Sequence, residues 1–107
     1  MSKLDNTKPK MSYLYSSALF AMAKVREKAM EKYPNEEDWR TTPSRVHYDA
    51  AFRHLFAAME REWLDPESGE PHLAHAMCNL MFLIESHNNP KQGTDDDIIS
   101  KLIKERL

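Results

Sequence analysis

Three polar side chains interrupt the most apolar stretch of this sequence. His72, His75 and Asn79 recur at steps of three and four within HLAHAMCNLMFLIE, residues 72–85. On a helix, at about 100° per residue, these three share one stripe, and Leu73, Met77, Leu80 and Ile84 share another about a third of a turn away. Burying such polar groups costs on the order of 1–3 kcal/mol each unless they find partners. They therefore either bond neighbouring helices or line a pocket. His72 and His75 are also spaced to share a metal, which would need a carboxylate or a further His as well.

A second set lies upstream: Tyr48, Asp49, Arg53, His54, Glu60 and Glu62. Asp49 and Arg53 are four apart and can pair along a helix. Arg53 and His54, with a lysine from the N-terminal arm, suit phosphate oxygens. The turn DPESGEP, residues 65–71, brings Asp65 and Glu67 towards His72, and carboxylates suit magnesium. Trp39 and Arg40 sit in an acidic loop, where Trp39 is either a lid on the core edge or part of a ligand site. Cys78, inside the apolar stretch, reads as inert packing.

Composition narrows what this chemistry can serve. The chain has 107 residues, enough for one domain, with 15 Lys+Arg against 17 Asp+Glu. A net charge of −2 argues against direct DNA binding, which needs a basic excess. The 2 glycines cannot form a Gly-rich phosphate cradle, and 1 cysteine excludes an internal disulfide or a Cys-cluster zinc site. No apolar run reaches membrane-span length, and the N-terminus has no apolar signal core, so a soluble cytoplasmic protein is expected.

These residues must be carried by helices. Ala, Leu, Met, Glu and Lys abound, and Val occurs only at Val25 and Val46. The expected fold class is all-α, a small bundle of three long helices plus a short C-terminal helix. Residues 1–10 form a polar arm carrying Lys8 and Lys10, and residues 11–107 form a single helical domain. The spacing predicts helices over 11–33, 45–64 and 72–86. Leu14, Ala18, Met22, Val25 and Ala29 make the first apolar stripe, and Tyr48, Phe52, Leu55, Met59 and Trp63 the second. Ser44 is the expected cap of the second helix, and Gly69 supplies any left-handed turn position. The third helix is apolar over most of its circumference, so it should be central or covered by another chain. Thr94 can cap the fourth, with Asp95, Asp96 and Asp97 in its first turn. A homo-oligomer, most simply a dimer, is expected.

Residues 48–85 resemble a phage-encoded family, the dATP/dGTP diphosphohydrolase N-terminal domain. The resemblance rests on Asp49, Arg53-His54-Leu55, Asp65-Pro66-Glu67-Ser68-Gly69, and His72-Leu73-Ala74-His75-Ala76 with Asn79. Lys8-Pro9-Lys10, Lys32-Tyr33 and Trp39-Arg40 extend it upstream, so it covers about residues 7–86. It implies a nucleotide-associated helical domain in phage-infected bacteria. It also implies hydrolysis of a purine deoxynucleoside triphosphate to monophosphate and pyrophosphate. The start of the first helix, Ser12 to Ser16, departs from the family pattern. The paired-carboxylate helices of MazG-type pyrophosphohydrolases are incomplete, because Glu60-Arg61-Glu62 has the wrong spacing.

Two functional classes follow. One is a magnesium-dependent nucleotide pyrophosphohydrolase, with Asp65 and Glu67 as candidate metal ligands. The other is a non-catalytic sponge for a host immune nucleotide signal, such as a cyclic dinucleotide or a cyclic ADP-ribose-like molecule, which would make it an anti-defence protein. In either, Lys8, Lys10, Trp39, Arg40, Tyr48, Asp49, Arg53, His54, His72, His75 and Asn79 are the candidate ligand-binding residues. An assembly domain without a ligand is the third option.

Overall fold

The computed structural model describes residues 7–35 and 38–88. Among them are three α-helices and no strand: α1 (Ser16–Lys32), α2 (Ser44–Met59) and α3 (His72–Asn88). Short 3-10 turns occupy Met11–Tyr13 and Asp38–Thr41. The all-α expectation therefore holds, and the expected C-terminal helix lies outside the described residues. No helix among them is long and apolar enough to cross a membrane.

The helix ends differ from the periodicity. α1 begins at Ser16, not residue 11, because Leu14 and Tyr15 adopt extended backbone between the 3-10 turn and the helix. Met11 to Tyr15 are all exposed, so no tertiary contact stabilises a further helical turn there. At the start of α2, Pro43 occupies the cap position and Ser44 is the first helical residue, so Ser44 is not the expected cap. α2 stops at Met59, five residues before Leu64. Two bonds close it: Arg61 N–H to the Ala58 carbonyl at 3.0 Å, and Glu62 N–H to the Ala57 carbonyl at 2.9 Å. This paired closure is a Schellman motif, which requires a left-handed residue after the cap. Arg61 takes that role with φ 71°.

α3 is the shared wall. It contacts α2 most extensively, then α1, then the Trp39 turn. On the α1 side, Val25 meets Ala74, Cys78 and Phe82, with Ala21, Met22 and Met81 packed around them. Trp39 stacks on Phe82 at 4.8 Å and 12°, which makes it the lid on the core edge. The guanidinium of Arg40 lies 4.4 Å from the Trp39 ring centroid. His47 is buried beside both rings, and its Nε2 meets the Trp39 carbonyl at 3.1 Å. Cys78 is buried and its Sγ lies 3.5 Å from the Met22 carbonyl. Burial pushes its thiol up to about 11, which keeps it protonated and inert.

The buried residues of α2 and α3 are not the large apolar stripes expected, which the structure corrects. α2 buries His47 and Ala51, and α3 buries His72, Ala74, Ala76, Cys78, Phe82 and Leu83. Tyr48, Phe52, Phe56 and Met59 of α2, and Leu73, Leu80 and Ile84 of α3, are exposed instead. Each set sits about 100° beyond the seam on its own helix. In an antiparallel pair, equal offsets of the same sense fall on the same side. Among the described residues, α1 covers one face of α3, and the opposite face of the hairpin is apolar and exposed.

The left-handed Arg61 yields a stability prediction. A side chain in this conformation costs roughly 1–2 kcal/mol, and glycine avoids most of that cost while adding chain entropy. Arg61→Gly should stabilise the protein by about 0.5–1 kcal/mol in urea unfolding. Destabilisation would mean that the Arg61 side chain makes a contact worth more than the strain.

Candidate functional site

The segment from Glu60 to Pro71 is a tight, internally bonded loop. His72 N–H donates to the Trp63 carbonyl at 3.0 Å, and Asp65 N–H donates to the Glu70 carbonyl at 2.8 Å. Gly69 N–H returns to the Asp65 carbonyl at 2.7 Å, and Gly69 takes φ 76°, the left-handed position expected of it. Asp65 Oδ1 accepts Glu67 N–H at 2.8 Å, and Ser68 Oγ accepts Glu70 N–H at 3.1 Å. α1 braces the loop from outside. Lys28 Nζ donates to the Ser68 carbonyl and lies 3.4 Å from Glu70 Oε1, while Lys32 Nζ pairs with the Glu67 carboxylate. Exposed pairs of this kind contribute little singly. Here they fix which loop groups can turn inward.

Three imidazoles meet above this loop. His54 of α2 stacks on His75 of α3 with centroids 4.5 Å apart and planes 11° apart. His54 Nδ1 lies 2.9 Å from His72 Nδ1, and His72 Nε2 lies 2.7 Å from Glu62 Oε1. His75 Nε2 lies 2.7 Å from Ser68 Oγ and 3.5 Å from Asp65 Oδ2. His72 is buried; His54, His75 and Asp65 are half-buried, within reach of solvent.

The bond chain orders the protons. An ionised carboxylate only accepts, so His72 Nε2 carries a hydrogen towards Glu62. With His72 neutral, its Nδ1 is bare and must accept from His54 Nδ1–H. Neutral His54 then presents a bare Nε2. Burial first, then repulsion from His75 and His72, pushes His54 down to about 4. Burial likewise lowers His75, against the opposing pull of Asp65. Burial alone would raise Asp65, but the Glu67 N–H and the His75, His54 and His72 imidazoles hold it below its ordinary value.

The structure thus brings together His54, His72, His75 and Asp65 from the sequence candidates. Arg53 is exposed and precedes His54 on α2. Asn79 is half-buried one turn beyond His75, and His54 faces His72 and His75 rather than Asn79. Tyr48 and Asp49 are exposed, a turn or more towards the start of α2. Lys8 and Lys10 are exposed ahead of the first 3-10 turn, and Trp39 and Arg40 sit at Phe82, two turns along α3 from His75. Glu67 is exposed and held by Lys32. Glu62 was one of several carboxylates in the sequence with no distinguishing mark, and Ser68 and His47 carried no signal at all.

One group in the cluster has metal-ligand geometry: single ligand atoms of His54, Asp65 and His75 lie within 4.8 Å of one another. Magnesium fits this set poorly. It asks for octahedral oxygen donors, whereas two of these three are imidazole nitrogens.

Fold and site together define a helical hairpin, braced by a third helix, with a histidine–carboxylate cluster at its looped end. The chain belongs to the dATP/dGTP diphosphohydrolase N-terminal family, whose model matches residues 1–97. Comparison with curated proteins and with solved structures finds no match.

The depressed imidazoles give a pH prediction. Unfolded, His54 takes up a proton near 6.5; folded, only near about 4. Between these values the unfolded chain binds more protons, so stability falls as pH drops through that window. His75 acts in the same direction. The urea midpoint should decline steadily below pH 6.5, and His54→Gln should flatten part of the decline. A midpoint unchanged down to pH 5 would show that these rings charge freely in the native state.

Proposed function

We propose that this is a phage protein of the infected-cell cytoplasm that binds a purine nucleotide, or a nucleotide-derived phosphate compound, over the histidine cluster. The observation that carries the reading is the convergence of His54, His72 and His75 above Asp65, with exposed Arg53 next to His54 in the sequence as the candidate phosphate contact. A guanidinium supplies paired donors to phosphate oxygens, and neutral imidazoles add directed hydrogen bonds without long-range attraction to a duplex. Family membership supports a purine deoxynucleoside triphosphate as the first ligand to try.

Whether the nucleotide is hydrolysed is a separate matter. Glu67 is drawn off by Lys32, and Glu60-Arg61-Glu62 lacks the paired-carboxylate spacing of the pyrophosphohydrolases. Both features favour sequestration of a host signal nucleotide over magnesium-dependent hydrolysis. Incubation with purine nucleotides and cyclic dinucleotides, followed by chromatography, separates the two. Ligand recovered intact after heating supports sequestration, and monophosphate with pyrophosphate supports catalysis. Arg53→Ala should weaken binding by about tenfold or more, the loss of one charge-assisted contact, with a melting temperature near wild type. No calorimetric heat with any of these ligands would overturn the reading.

The exposed apolar face of the hairpin supports a homodimer. Tyr48, Phe52, Phe56, Met59, Leu73, Leu80 and Ile84 are exposed, and helical spacing sets them on one side of the hairpin, where a second copy could cover them. Phe52 and Phe56 already stack, with centroids 6.1 Å apart. Two such faces would close into a four-helix layer. Light scattering should report a dimer at micromolar concentration, and Phe52→Glu with Phe56→Glu should give a folded monomer. A wild-type monomer would contradict this.

A further inference from the structure

We propose that His54, Asp65 and His75 form a binding site for a zinc-class transition-metal dication, with a coordination position left open. The inference stands on the ligand geometry and does not depend on the nucleotide reading.

The donor set is two imidazoles and one carboxylate, each from a different element: α2, the loop and α3. Their ligand atoms lie within 4.8 Å of one another. Tetrahedral zinc needs ligand atoms about 3.3 Å apart, given bonds of about 2.0–2.1 Å, so side-chain rotation of an ångström or so completes the site. Two features pre-organise it. Asp65 Oδ1 is held by the Glu67 N–H at 2.8 Å, and Oδ2 is the oxygen nearer His75. When His72 donates to Glu62 and accepts from His54 Nδ1–H, the His54 Nε2 lone pair is left to ligate. A carboxylate, backbone carbonyl or water behind a ligating histidine usually orients it and makes it more basic. Here the carboxylate acts through an intervening histidine. All three ligands reach solvent from half-buried positions, which gives an entry path. Three protein ligands leave room for water or a phosphate oxygen, the pattern of reactive rather than purely structural zinc sites. Imidazole donors select zinc, cobalt or nickel over magnesium and calcium.

The experiment is a titration of the full chain, freed of metal by chelator, with Co²⁺, Zn²⁺ and Mg²⁺ separately. One Co²⁺ per chain should bind with the intense visible absorption of four- or five-coordinate cobalt. Zn²⁺ should displace it and raise the melting temperature, whereas Mg²⁺ in excess should do neither. His75→Ala and Asp65→Asn should each weaken Co²⁺ binding by about 100-fold or more. Glu62→Gln, acting through His72, should weaken it by about tenfold to 100-fold. His87→Ala, at the exposed far end of α3, should leave it unchanged. Should a ligand variant fail to fold, X-ray absorption of the Zn²⁺-loaded wild-type chain decides, with two imidazoles per metal expected. A pale octahedral cobalt spectrum, equal binding by the His75 and Asp65 variants, or an absorption shell with fewer than two imidazoles would overturn the site. Nucleotide binding with no metal binding would overturn this inference alone. The converse would leave the metal site standing without the nucleotide reading.

Discussion

The seam between α2 and α3 must be narrow, and most of the molecule follows from that. Ala51 and Ala76 are buried where α2 and α3 pack, and imidazoles from the two helices stack there. Larger residues along the seam would part them. Partial burial of His54 and His75 disfavours their charged forms. Glu62 supplies the end of the hydrogen-bond chain through His72 to His54, and Asp65 its counterpart at His75.

The loop makes this possible because it is placed by bonds at both ends. The Schellman closure at Arg61 turns the chain so that Glu62 reaches His72, and the Trp63 carbonyl holds the first residue of α3. α1 serves two purposes. Its apolar row covers the Ala74–Cys78–Phe82 side of α3, and Lys28 and Lys32 at its C-terminal half brace the loop. The lysine-rich end of α1 thus has a specific place in the fold beyond solubility.

Much of this was legible in the sequence, but not evenly. Helix existence and order followed from periodicity and from the Pro- and Gly-bearing breaks, and the left-handed Gly69 from the turn chemistry. His72 and His75 stood out because polar residues on an apolar helix demand partners. The inside and outside of α2 and α3 were misread, since periodicity finds a large apolar stripe without saying whether it faces this chain or bare surface. Of the residues that lie inside, Ala51, Ala74 and Ala76 are small and carry little hydropathy signal. Glu62 was obscured for a related reason. A helix carried on to Leu64 would hold that carboxylate on a helical surface. The residue that stops the helix early is Arg61, where a glycine would have announced the break.

Nitrogen-15 NMR of the histidine side chains at neutral pH tests the Glu62–His72–His54 hydrogen-bond chain most directly. His54 should appear as the neutral Nδ1–H tautomer, with a coupling or cross-peak linking its ring to that of His72. A doubly protonated His54, or the averaged tautomers of a solvated histidine, would contradict it.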